Sequence, residues 1–219
     1  MGLRQGTRRA LFVTRHPATF GVVQSLFITY FELGFRHILD PQAYDHLLFL
    51  VALALPYRWA QWRSVLLLAT AFTLGHSLTL ALVGLEWVAL PAAWVEFFIP
   101  VTIAATALIR LWKSGHPAAA RVLPGTYVLV VLFGLVHGAG FSSLFRATAL
   151  PGAAGEVGRQ LLAFNLGVEL GQLLIVLGIL LMNTVALSLL RVPHRWWLRS
   201  VGAGVLLLSI RLMIETFPL

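Results

Sequence analysis

The sequence predicts an all-α, polytopic transmembrane bundle of about seven helices. Three observations predict it. Of 219 residues, 59% are hydrophobic and 11% charged, against about 25% charged in a soluble domain. The apolar residues gather into runs near the ~20 that a helix needs to cross a bilayer. No run alternates with a period of two, so the signature of a β-barrel is missing.

The elements follow in order. Residues 1–17 form a basic arm, MGLRQGTRRALFVTRH and the following proline. Its apolar stretch ALFVT is too short for a signal-peptide core, so a cytoplasmic or surface-lying segment is expected. Residues 18–219 form one transmembrane domain. Its expected spans are 18–37, 43–57, 63–84, 92–112, 126–147, 160–188 and 199–217. The second is short, and Pro56 is expected to end it. With the N-terminus inside, the inner loops receive Arg4, Arg8, Arg9, Arg15, Arg58, Arg63, Arg110, Lys113, Arg121, Arg191, Arg195 and Arg199. None of the eight acids falls on that side. Cytoplasmic loops carry such an excess of Lys and Arg, so the expected orientation is N-in and C-out. Trp59, Trp62, Trp87, Trp94, Trp112, Trp196 and Trp197 flank the spans, as interfacial aromatics do.

Composition excludes several functions. There is no cysteine, which removes disulfides, thiolate metal sites and thiol catalysis. Three methionines are too few for a thioether copper path. A net charge of +8 with a pI near 11.3 would suit nucleic acid, but the basic residues sit between apolar spans. The partner they imply is the lipid bilayer. No G-x-S-x-G, H-E-x-x-H or phosphate-binding glycine loop is present.

The chemistry lies in polar residues inside apolar runs: FRHILDPQAYDHLLFL, FTLGHSLTLAL, VEFF, GLVHGAGF and FNLGVELGQLL. An ionisable group at mid-bilayer costs about 2.5–3.5 kcal/mol on insertion scales, so it usually faces the interior and has a job. Counting ~1.5 Å per residue places His37, Asp45, His46, His76, Glu96, His137, Asn165 and Glu169 in the outer half. We read His46, His76, His137, Asp45 and Glu169 as candidate metal ligands. His37, Glu96, Asn165, Gln172 and Thr73 are read as supporting or entrance groups. Asn165, Glu169 and Gln172 share one helix face. Thr73 and Thr79 flank His76 and are expected to orient its ring. Imidazole and carboxylate without thiolate suit Ni²⁺, Co²⁺, Zn²⁺, Cu²⁺, Fe²⁺ or Mn²⁺.

Structural readings stand beside these. A single intramembrane histidine is as often a hydrogen-bonding residue as a ligand. Arg211 is expected to form a structural ion pair with Glu32 or Glu169. His16, His116 and His194 fall in basic loops, and Glu86 and Glu156 read as solvated loop acids.

These segments, in this order over roughly residues 34–215, resemble the second branch of the HupE/UreJ family of bacterial membrane proteins. That resemblance implies a hydrogenase or urease accessory role with nickel or cobalt uptake, in the bacterial inner membrane. It implies His37, Asp45, His46, His76, Glu96, His137, Asn165 and Glu169 as the motif's polar residues. The stretch from His37 to Asp45 is two residues longer than the family's pattern.

Two active readings remain, with a third in which the polar cluster only holds the bundle together. One is a permease that collects a divalent ion (Ni, Co or Zn) from outside, drawn by the membrane potential at about 2.3 kcal/mol per charge per 100 mV. The other is a metal-dependent intramembrane hydrolase or transferase with an open coordination position, acting on a lipid or lipidated substrate.

Overall fold

The computed structural model describes residues 17–42, 44–114, 122, 124–148 and 154–218. The basic arm up to residue 16, His116 and Arg121 lie outside them, as do the side chains of Arg146 and Glu156. Seven α-helices follow one another: α1 Pro17–Leu39, α2 Tyr44–Ala54, α3 Trp62–Gly84, α4 Ala92–Lys113, α5 Pro124–Thr148, α6 Ala154–Thr184 and α7 His194–Glu215. A 3₁₀ turn, Trp59–Gln61, leads into α3, and a π-turn, Val185–Leu189, extends α6. No strand occurs among the described residues.

Prolines punctuate the helices. Pro17 and Pro124 open α1 and α5, where a missing N–H costs nothing. Pro91 and Pro193 stand at the N-caps of α4 and α7. Five stretches among the described residues are long and apolar enough to cross a membrane: Trp59–Val83, Ala92–Lys113, Pro124–Ser142, Val157–Leu189 and His194–Glu215.

The first and second expected spans are not among these five. The second differs in length. α2 has 11 residues and rises about 16 Å, half of a ~30 Å hydrocarbon core. Past Ala54 the chain continues as buried Leu55, Pro56 and Tyr57. Pro56 ends the helix, and Asn183 of α6 accommodates the exposed backbone. Its amide donates to the carbonyls of Leu55 at 3.2 Å and Tyr57 at 2.9 Å, while its oxygen accepts from the Trp197 indole at 2.9 Å. Asn183→Leu is expected to leave these groups unsatisfied and to cost about 1–3 kcal/mol. Thermal unfolding in detergent reads this, and an unchanged melting temperature removes Asn183 as a tether.

Two helix pairs approach through glycine. On α3 and α5, a Cβ at Gly75, Gly134 or Gly138 would stand under 3.0 Å from the carbonyl of Val131, Phe72 or His76. On α1 and α6, Gly34 and Gly167 face the carbonyls of Phe164 and Phe31 as closely. Without a hydrophobic drive inside lipid, such close packing is what holds helices together. α4 pairs with α7, and α3 also packs on α6. α2 is buried along most of its length, with Leu47 exposed, and lies mainly against α4 and α6.

The bundle is electrically polar. Arg58, Arg63, Arg110, Lys113, Arg191, Arg195 and Arg199 lie toward one end. Asp40, Asp45, Glu86, Glu96 and Glu215 lie toward the other. Two of the arginines near the acidic end, Arg36 and Arg211, pair with acids on their own helices. Arg211 does not reach Glu32 or Glu169, the expected partners; its Nε donates to Glu215 at 2.7 Å, and Glu32 pairs with Arg36. Both pairs are i, i+4 on exposed helix faces, where a neighbour one turn away is nearer than any group across the bundle.

Candidate functional site

Four helices each bring one imidazole to the same level. From Trp62 to His76, α3 rises about 21 Å; from Pro124 to His137, α5 rises about 20 Å. The glycine contacts between α3 and α5 hold these two heights in register. α1 ends and α2 begins at the acidic end, joined by a turn in which the Gln42 N–H donates to Asp40 Oδ1 at 2.8 Å. That turn sets His37 over His46. Ring centroids are 4.7 Å apart for His37–His46, 6.0 Å for His37–His76, 6.0 Å for His46–His76 and 5.4 Å for His46–His137. His46, His76 and His137 are buried, at 3%, 0% and 1% exposure.

Two ring orientations are fixed from behind. His137 Nδ1 lies 2.9 Å from the Phe133 carbonyl, and His46 Nδ1 lies 3.0 Å from Asp45 Oδ1. Carbonyl and carboxylate oxygens only accept, so each Nδ1 carries the proton. In a neutral ring Nε2 then presents a lone pair, the tautomer that ligates metals. No protein partner meets His37 Nε2, His46 Nε2, His137 Nε2 or either nitrogen of His76, and all are buried.

Such a donor set fits a borderline divalent cation. Imidazoles sharing one ion at 2.0–2.1 Å have centroids roughly 5 Å apart; His37–His46 and His46–His137 match this, and His76 stands further off, 6.0 Å from both His37 and His46. As placed, no three His, Asp or Glu side chains among the described residues converge on one ligating point.

The histidine layer lies between aromatic layers. Phe49, Phe72 and Phe133 sit one turn from His46, His76 and His137, each on the basic-end side. Phe49 and Phe72 are fully buried with centroids 4.7 Å apart, and Phe133 joins Phe49 edge-on at 6.2 Å. Phe141 lies 4.0 Å from the His37 centroid and stacks on Phe164 at 4.9 Å. None of these phenylalanines is singled out by the motif reading. The available signal was a phenylalanine three or four residues from a histidine in three helices.

The other expected residues separate. Thr73 and Thr79 do not orient His76: Thr73 donates to Gln172 Oε1 at 2.9 Å, and Thr79 to the Leu135 carbonyl at 2.8 Å. Facing the same helix side as His76, each hydroxyl finds an acceptor on the neighbouring helix instead. Gln172 keeps a buried, unpartnered Nε2. Glu169 Oε2 and Asn165 Oδ1 are both buried without a partner. Asp45 and Glu96 line a cavity of about 250 Å³ with Gln42, Tyr44, Leu212 of α7 and Thr216 at its C-cap. A second cavity, of about 530 Å³, opens beside His37, Arg36 and Asp40. Both lie at the acidic end, next to the histidine layer.

No curated protein and no solved structure matches this chain at a significant level. The family model described as HupE / UreJ protein matches residues 14–217, and the chain, nearly all of it covered, belongs to the HupE/UreJ family of membrane proteins.

Proposed function

We propose that this protein is a permease for a divalent transition-metal ion of the nickel and cobalt class, in the bacterial inner membrane, and that the four-histidine cluster receives the ion. The observation that carries the reading is the set of five buried imidazole nitrogens without a protein partner. A buried polar group left unsatisfied costs about 1–3 kcal/mol, so such a concentration needs a counterpart. A cation supplies it for all four rings at once. Asp45 and Glu96, in the acidic-end cavity, attract the ion, and Asp45 also holds His46 in the ligating tautomer. Glu169, whose Oε2 is likewise buried without a partner, supplies further negative charge in this reading.

Transfer toward the basic end requires the phenylalanine floor to open. That floor also favours a second reading, a metal-dependent intramembrane enzyme with access only from the acidic end. Purified protein in liposomes distinguishes the two. A permease takes up Ni²⁺ or Co²⁺ in response to an inside-negative potential and holds the ion exchangeably. An enzyme retains a stoichiometric metal and shows no uptake.

His46→Ala and His137→Ala are each expected to reduce Ni²⁺ or Co²⁺ affinity by about 10-fold to 100-fold, the range seen when a group supporting a metal site is lost, or by more. Isothermal titration checks this. Affinities equal to the unmodified protein would defeat both metal readings.

A further inference from the structure

At the basic end, α4 and α5 enclose a cavity of about 200 Å³ that the metal reading does not use. Its mouth carries Arg110 and Lys113 from the last turn of α4, and Gly125 and Thr126 from the first turn of α5. The deeper wall is mainly apolar, with Leu53, Ile109, Leu129 and Val130 beside Thr106, whose hydroxyl is turned to the Thr102 carbonyl of its own helix at 2.8 Å. The Arg110 guanidinium lies over the Tyr57 ring, 5.5 Å from its centroid, which holds it beside the cavity.

Neither cation has a carboxylate to pair with. The sequence has no Asp or Glu from 46 to 85, from 97 to 155 or from 170 to 214, so none reaches this end. The first N–H groups of α5 have no helical acceptor and add positive potential at the same point. Basic residues closing α4 suit its dipole, which accounts for their sign. It does not account for a cavity between them and the opening turn of another helix.

We propose that this cavity binds an anionic phospholipid, with the phosphate at Arg110, Lys113 and the start of α5, and an acyl chain along the apolar wall. The grading from charged mouth to apolar depth matches an amphiphile. Free phosphate uses only the mouth. The site stands independently of the histidine cluster, on a different set of helix ends.

The test uses the full chain in neutral detergent, titrated with dioleoylphosphatidylglycerol, dioleoylphosphatidylcholine or inorganic phosphate. Thermal unfolding and native mass spectrometry read binding. Phosphatidylglycerol is expected to raise the melting temperature and to remain bound, and the other two to do neither. R110Q/K113Q is expected to lose roughly tenfold to thirtyfold in phosphatidylglycerol affinity, while R63Q/R195Q, equal in charge but outside the cavity, keeps it. Thr126→Glu adds a negative charge where the helix dipole favours one, so it should fold well and still lose the lipid. It decides the matter if R110Q/K113Q fails to fold. Equal stabilisation by inorganic phosphate or phosphatidylcholine overturns the proposal. So do equal losses in both double variants, or unchanged lipid affinity in Thr126→Glu.

Discussion

Gly138→Ala is expected to push α5 away from α3 at the level of the histidines and to cost about 1–3 kcal/mol of stability, the usual range for overpacking. A Cβ at this position would stand under 3.0 Å from the carbonyl oxygen, carbonyl carbon and Cα of His76. These are backbone atoms of a paired helix and have no rotamer to escape into. The helices must separate, and His137 moves with α5 relative to His76. Two losses are therefore expected together, in melting temperature and in metal affinity. Gly204→Ala is the matched control. A Cβ there meets nothing within 4 Å, and alanine is favoured over glycine in a helix by about 1 kcal/mol. The two substitutions should act with opposite signs on stability. Gly138→Ala behaving like Gly204→Ala would refute the close approach.

The second large effect concerns His76. A structural histidine normally holds a partner, so removing it leaves that partner unsatisfied. His76 is fully buried and neither ring nitrogen has a partner. His76→Leu, similar in volume, therefore removes two unsatisfied groups and creates none. The metal-free variant is expected to melt at or above the temperature of the metal-free parent. With Ni²⁺ at about 100 times its dissociation constant, the parent gains about 2.7 kcal/mol and the variant gains little. Melting curves with and without metal read both halves. A metal-free variant that melts well below the parent would show that His76 is structural.

Much of this was legible in the sequence, because lipid makes burial and polarity unusually informative. The seven helices overlap the seven apolar runs, and His46, His76 and His137 meet as their depths imply. His37 was undervalued. Its segment is two residues longer than the family's pattern, but Asp40–Gln42 absorbs the length in a turn and His37 lies 4.7 Å from His46. Arg211 was assigned a distant acid although Glu215 stood one turn away. Thr73 and Thr79 share a helix face with His76, yet spacing alone says nothing about acceptors on the next helix. The aromatic layers were invisible for a related reason. Phenylalanine in an apolar run carries no contrast until the helices are packed.

The glycine contacts have a mechanical consequence. α3 and α5 are seated backbone to backbone, and so are α1 and α6. α2 is fastened at its far end to α6 by Asn183. His76 and His137 therefore ride on one stiff body and His37 on another, while His46 stands on α2 between α4 and α6. Between the bodies lie side-chain contacts, such as the Thr73–Gln172 hydrogen bond and the stacking of Phe141 on Phe164. In the proposed permease, an ion ligated from both sides would act as a rivet between two plates, drawing them together on arrival and freeing them to slide on departure.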